Sequence, residues 1–291
     1  MLAVDPYLIV GPALISFSGG RTSAYMLWKI LQAHNGRLPA DVYVTFANTG
    51  KELEKTLRFV HEIESRWNVR IYWLQRTADG GFEIVGYNSA ARKGEPFADL
   101  IAKKKYLPNA VTRFCTVELK IRVMRDFARS VGFERWNNIV GLRYDEGMRV
   151  MKALARNDEG RERFQAVMPM AKAKATKRGH VLPFWLGENA DPINLTHPLP
   201  QGFDLGIRDH EGNCDLCFLK SKAKLAAIMR ENPGSADWWI EQEETVGASK
   251  PSGARFVTEY SYRGLLDHTD RSPMLFDDSD HDAECGLLCQ P

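Results

Sequence analysis

Apolar positions follow two rhythms in the first half of the chain, and their alternation sets the expected fold. Short apolar runs at residues 14–17, 42–46, 69–74 and 138–140 have strand length and end in turn residues. Between them apolar side chains recur at helical spacing: Tyr25, Met26, Leu27, Ile30 and Leu31, then Thr56, Phe59, Val60 and Ile63, then Val123, Met124, Phe127 and Ala128. Strands alternating with helices predict an α/β fold, a Rossmann-like parallel sheet covered by helices on both faces. The pattern loosens past residue 150, which divides the chain into an α/β domain over 1–150 and a smaller, mostly helical or irregular region over 151–291. Within that region a short amphipathic helix or turn is expected over 180–186 with Trp185 in the core. Further helices run through Leu225, Ile228 and Met229 and around Trp238 and Trp239. Residues 79–111, rich in glycine and lysine, read as an insertion or flexible flap.

Ligands of such sheets collect outside the carboxyl ends of the strands, and the polar residues are concentrated there. Ser18, Gly19, Gly20, Arg21, Thr22 and Ser23 follow the first strand and open a helix. A glycine turn before a helix aims backbone N–H groups at one point, which suits a phosphate. Thr49, Gly50 and Glu52 follow the second strand, and Gly141, Arg143 and Arg149 follow the strand at 138–140. Two arginines at that spacing can face one polyanion, or they can form a charged turn with local ion pairs.

Charge excludes little globally: 39 basic against 37 acidic residues give a formal +2. Residues 92–105 and 172–178 are locally basic, as a solvated face or an RNA contact would be. Apolar runs are too short to span a membrane. The first residues lack the pattern of a secretory leader, and five unevenly placed cysteines do not read as a disulfide scaffold. The expected location is the cytoplasm, with thiols reduced, ligating or reactive. Cys214 and Cys217, two residues apart around a turn, can grip one metal or one cluster face. Zinc knuckle, redox dithiol and iron–sulfur cluster all fit that spacing, with His210 near enough to add to the first and Cys115 available for the last.

Several segments together resemble one superfamily, the N-type ATP pyrophosphatases and phosphoadenylyl-sulfate (PAPS) reductases. Ser-Gly-Gly-Arg-Thr-Ser at 18–23 is similar to its PP-loop, SGGKDS, with Arg21 for lysine and Thr22 for aspartate. Residues 46–60 resemble F-x-D-T-G-x-E-x-x-x-T-x-x-F-V, with Asn48 for aspartate, and 141–149 resemble G-x-R-x-D/Q-E/S-x-x-R. The resemblance implies an adenine nucleotide (PAPS, adenylyl sulfate or ATP), with Mg²⁺ a further candidate. Ser18–Ser23 would hold its phosphate, Thr49–Glu52 the nucleoside, and Arg143 and Arg149 the sulfate or phosphate end. Members with a [4Fe–4S] cluster carry Cys-Cys followed far downstream by Cys-x-x-Cys. Phe114-Cys115 and Cys214-x-x-Cys217 keep three of those ligands, which implies a cluster on Cys115, Cys214 and Cys217. Glu284-Cys285-Gly286-Leu287 is similar to the Glu-Cys-Gly-Leu-His terminus of the reductases, with Leu288 for histidine and Cys289 following. There the cysteine attacks sulfate sulfur and a thioredoxin-like reductant resolves the adduct, which makes Cys285 the candidate nucleophile. The alternative implied by an open cluster iron is ATP-dependent thiolation of tRNA or DNA; a third is nucleotide binding without catalysis.

Overall fold

The structure, a computed structural model, describes residues 5–186, 205–206 and 211–271. Strand β1 (Ala13–Ser16) leads into helix α1 (Arg21–Ala33), and β2 (Val42–Asn48) into α2 (Glu54–Arg66). Strand β3 (Ile71–Arg76) turns into the edge strand β4 (Phe82–Val85), followed by α3 (Glu95–Lys104). A helical turn α4 (Phe114–Thr116), a π-helical turn (Val117–Ile121) and α5 (Arg122–Ser130) then run continuously. Strand β5 (Trp136–Ile139), α6 (Gly147–Glu159) and β6 (Phe164–Val167) complete the sheet. Next come α7 (Pro169–Lys172), a second π-helical turn (Lys177–Val181) and α8 (Leu182–Leu186). The last third supplies α9 (Lys222–Glu231), α10 (Asp237–Gly247) and α11 (Tyr262–Arg271).

The sheet order is β4-β3-β2-β1-β5-β6, parallel throughout except for β4. Successive residues of β1 point to opposite faces, and both faces are covered, which is why its sequence is an unbroken apolar run. Ala13 and Ile15 pack with α1 and α2, whereas Leu14 packs with Val123, Met124 and Phe127 of α5. The chain builds β1, β2 and β3 outward in one direction, then returns to lay β5 on the other side of β1. That reversal puts the switch point of the sheet at the carboxyl ends of β1 and β5, the crevice where a ligand of such a sheet is expected.

Strand β6 lies beyond residue 150, so the α/β layer extends into the second half of the chain. Residues 79–111 are not a flexible flap. β4 pairs with β3 through Arg76↔Phe82 and Trp73↔Val85, and α3 buries Phe97, Leu100 and Ile101 in a second core. The apolar spacing of α3 is helical; glycines and lysines around it conceal the signal. Trp185 is fully buried and donates its indole N–H to the Arg21 carbonyl at 2.9 Å, fastening α8 against α1.

The second core joins α3, α9, α10 and α11 around Trp239, Phe256 and Tyr262. Glu243 organises it from below: its carboxylate accepts the backbone N–H of Phe256 at 3.1 Å and of Tyr262 at 2.8 Å. Burial raises the Glu243 pKa above the usual carboxylate value, against the lowering effect of those two donors. The folded chain therefore holds this proton more tightly than the unfolded chain does. Its contribution is fully present below the unfolded value of 4.5 and is lost as pH rises through the folded pKa. Urea midpoints measured from pH 4 to 7 should fall with pH more steeply in the wild type than in Glu243→Gln; equal slopes would count against this assignment.

Candidate functional site

Ser18-Gly19-Gly20 forms the turn between β1 and α1. Gly19 takes a left-handed φ of 76°, and a Cβ there would meet the Thr56 methyl at 2.8 Å and the Phe46 ring at 3.2 Å. Only glycine fits such a turn without strain. Ser23 folds back to hold it: its hydroxyl accepts from the Ser18 amide at 3.2 Å, lies 2.9 Å from the Ser18 hydroxyl, and donates to the Gly20 carbonyl at 2.9 Å. No acceptor among the described residues bonds the amides of Gly19 or Gly20. Thr56, in the first turn of α2 beside this loop, is buried with a hydroxyl that has no hydrogen-bond partner. The Gly19 and Gly20 amides and the Thr56 hydroxyl give one turn donors that an anionic or polar group can use.

Arg143 links this loop to the end of β5. Its guanidinium, buried to 3% exposure, donates to the Thr22 hydroxyl at 3.1 Å and to Asp145 at 3.0 Å. Its backbone N–H donates to Glu146 at 2.9 Å, and Arg149 also pairs with Glu146. The sequence-level alternative of local ion pairs is thus part of the answer: both arginines share one carboxylate. Arg143 is nonetheless brought to the loop, because Gly141 packs on the backbone of Ser23 and Thr22 is the partner of Arg143.

At the end of β2, the Thr49 amide and hydroxyl both donate to the Glu52 carboxylate (2.9 and 2.8 Å), closing the turn that precedes α2. Asn48 is fully buried; its amide donates to Gln75 at 2.8 Å and to the Ala91 carbonyl at 3.0 Å. Gly50 has a packing reason for being glycine: with φ of 80°, a Cβ would stand 3.1 Å from the Gly94 backbone. Those roles are structural, and the segment's exposed chemistry lies elsewhere, in what docks on it.

The cysteine turn docks there. Glu52 and Cys214 form a one-residue antiparallel bridge, and the Asp215 amide donates to the Lys51 carbonyl at 2.7 Å. Lys51 and Asp215 make a buried ion pair at 2.8 Å, with the Trp239 indole N–H donating to the same carboxylate at 2.9 Å. Lys220, also buried, donates its ammonium to the carbonyls of Cys214 (2.7 Å) and Asp215 (2.9 Å), holding the turn closed. None of Lys51, Asp215 or Lys220 stands out in the sequence; only the spatial pairing reveals them.

This docking brings Cys115, Cys214 and Cys217 to the wall of one cavity, together with Thr49, Phe97 and Lys120. None of the three is in a disulfide, and the Cys214 sulfur lies 3.5 Å from the Thr49 hydroxyl. Burial pushes the Cys214 thiol pKa far up, Glu52 adds to the rise, and Lys120 opposes it. Metal binding at this thiol must therefore displace a firmly held proton. Among the described residues no group of three His, Cys, Asp or Glu donors is arranged to hold a metal ion. The soft thiolate character of the set nevertheless suits iron–sulfur or zinc rather than a hard cation. His210, Cys285, Leu288 and Cys289 lie outside the described residues. No helix of the described residues is long and apolar enough to cross a membrane.

Fold and site together define a mostly parallel α/β protein with a glycine turn at its strand-order reversal and a thiol-lined cavity beside it. The chain is 27% identical over 281 residues to the uncharacterized nin region protein ORF290 of Escherichia phage lambda, covering 93% of this chain and 87% of that protein. It is 25% identical over 230 residues to the uncharacterized protein MJ0066 of Methanocaldococcus jannaschii, covering 78% of this chain but only 40% of the archaeal one. No protein-family model matches the chain, and no solved structure does so significantly.

Proposed function

We propose that the protein is an enzyme that binds an adenine nucleotide at residues 18–23 and carries out sulfur chemistry at the neighbouring thiols. The observation that carries this reading is the docking of the Cys214–Cys217 turn on Thr49–Glu52, which puts three thiols one strand away from the glycine turn. A nucleotide phosphate at the Gly19 and Gly20 amides would have its sugar and base extend along the carboxyl edge toward Thr49. Arg143 holds Thr22 in place, so it positions the loop as well as adding charge.

The thiols of Cys115, Cys214 and Cys217 are the residues that would hold an iron–sulfur cluster. Such a group supplies electrons or a coordination position for sulfur when bound. The chain's own contribution is to exclude water with Phe97, Phe218 and Trp239 and to set a positive charge, Lys120, in the wall. Two substrates fit the arrangement. Reduction of a sulfonucleotide such as PAPS needs Cys285 as nucleophile and a thioredoxin-like dithiol to release sulfite. Thiolation of tRNA or DNA instead needs ATP and a polynucleotide surface.

Anaerobic purification tests the reading. Expected are a brown protein absorbing near about 400 nm and acid-labile sulfide, both lost in Cys217→Ser, alongside binding of ATP, adenylyl sulfate or PAPS. A colourless protein holding stoichiometric zinc would reject the cluster, and failure of all three nucleotides to bind would reject the nucleotide site. Sulfite release from PAPS that disappears in Cys285→Ser selects the reductase; release unchanged in that variant removes Cys285 from the mechanism.

A further inference from the structure

Beyond the crevice, the elements around β6 carry charge that nothing described above uses. Between residues 147 and 180 there are nine Lys and Arg against three Asp and Glu, although the whole chain has 39 against 37. This stretch is therefore a local concentration of positive charge, as residues 92–105 also are. Lys152, Lys172, Lys174 and Arg178 are exposed, and among the described residues no carboxylate pairs with any of them. Elsewhere basic side chains are commonly paired, as Arg92 is with Glu54 and Arg122 with Glu118.

These cations belong to one continuous surface. Val150 of α6 and Ala171 of α7 pack on the same small core of Val140, Leu142, Ala153, Ala166 and Met168. The Tyr144 amide donates to the Ala175 carbonyl at 2.9 Å, and the Lys177 amide to Asp145 at 3.1 Å, joining the start of α6 to the second π-helical turn. Just before and along α6 an aromatic and apolar ridge faces solvent: Tyr144 is 58% exposed, Met148 74% and Met151 65%. The surface begins one residue from Arg143, whose guanidinium touches the glycine turn.

We infer that this edge binds a single-stranded polynucleotide, with phosphates on Lys152, Lys172, Lys174 and Arg178 and an unstacked base against Tyr144. Unpaired cations call for a polyanion, and like charge opposes pairing with a second copy of the same face. An exposed tyrosine beside flexible methionines offers a stacking platform, which bases in a strand can use and bases inside a duplex cannot. A strand laid here leads into the crevice. The binding itself does not depend on the nucleotide reading; only what the strand is brought to rests on that reading, and it favours thiolation over sulfonucleotide reduction.

The test is fluorescence anisotropy with labelled single-stranded DNA and RNA of about 30 nucleotides, titrated at several salt concentrations. Four phosphate contacts predict a slope of log K against log salt near about −3. In the quadruple variant Lys152→Glu/Lys172→Glu/Lys174→Glu/Arg178→Glu, affinity should fall by about 100-fold or more and the slope should flatten. Tm and ATP binding should stay unchanged. Tighter binding of one sugar type assigns RNA or DNA, and either supports the inference. Unchanged affinity in the variant overturns it, as does preference for duplex, binding only to phosphatidylserine vesicles, or a dimer in sedimentation that the variant abolishes. ATP titration of the wild type runs in parallel: loss of that signal with strand binding intact refutes the nucleotide site and leaves the surface standing.

Discussion

Asp215→Ala should destabilise the protein by about 3–5 kcal/mol, because it strips the partner from a buried ammonium. Lys51 and Asp215 have side-chain exposures of 8% and 12%, so solvent offers little compensation. The carboxylate also accepts from the Trp239 indole and the Leu216 amide, and Lys51 lies 5.0 Å from the Trp238 ring. Loss of Asp215 therefore leaves two donors and one charge without their acceptor, all inside the wall that supports the thiol turn. Urea denaturation measures the effect, and a loss below about 1 kcal/mol would show that the pair contributes no more than an exposed one. The double variant Lys51→Met/Asp215→Leu should recover much of the loss, since removing both charges leaves no orphan. Recovery of stability without recovery of metal content would separate the scaffold from the chemistry it holds.

Gly19→Ala and Gly20→Ala should behave oppositely although the residues are adjacent. At Gly19 the new methyl meets Thr56, Val60 and Phe46 at 2.8, 3.1 and 3.2 Å, in a backbone conformation with φ of 76°. Left-handed strain and overpacking together cost about 2–4 kcal/mol, and the turn must shift. At Gly20 the methyl meets only the Ser18 hydroxyl at 3.7 Å, and φ is −105°. Gly20→Ala should therefore change stability by less than about 0.5 kcal/mol while weakening nucleotide binding, because the methyl stands where the ligand must approach the backbone. Thermal unfolding beside isothermal titration with ATP reads both quantities. Full nucleotide affinity in Gly20→Ala would place any ligand away from this turn.

Much of this was legible in the sequence because it is local. The run at 14–17 and the glycines after it identify a strand and a turn without reference to anything distant, and the spacing of Thr56, Phe59, Val60 and Ile63 does the same for α2. The burial of Trp185 and the partial exposure of its counterpart Trp238 follow from their helical settings. What stayed hidden depends on pairings far apart in the chain. β4 is four residues long and pairs only at one edge, so its alternation is too brief to detect. Lys51, Asp215 and Lys220 look like surface residues in one dimension and become buried only when the cysteine turn meets the end of β2. The shared carboxylate of Arg143 and Arg149 is the intermediate case: the spacing shows both arginines on one turn, but not that Glu146 lies between them.

The Glu52–Cys214 bridge has a consequence for biogenesis. Its two partners lie far apart in the sequence, so the cavity stays open on one side until translation has passed Leu219. The six strands are all encoded by Val167 and can assemble while the ribosome is still at work. Closure of the cavity wall is thereby deferred until the cysteine turn has been made, well after the last strand of the sheet.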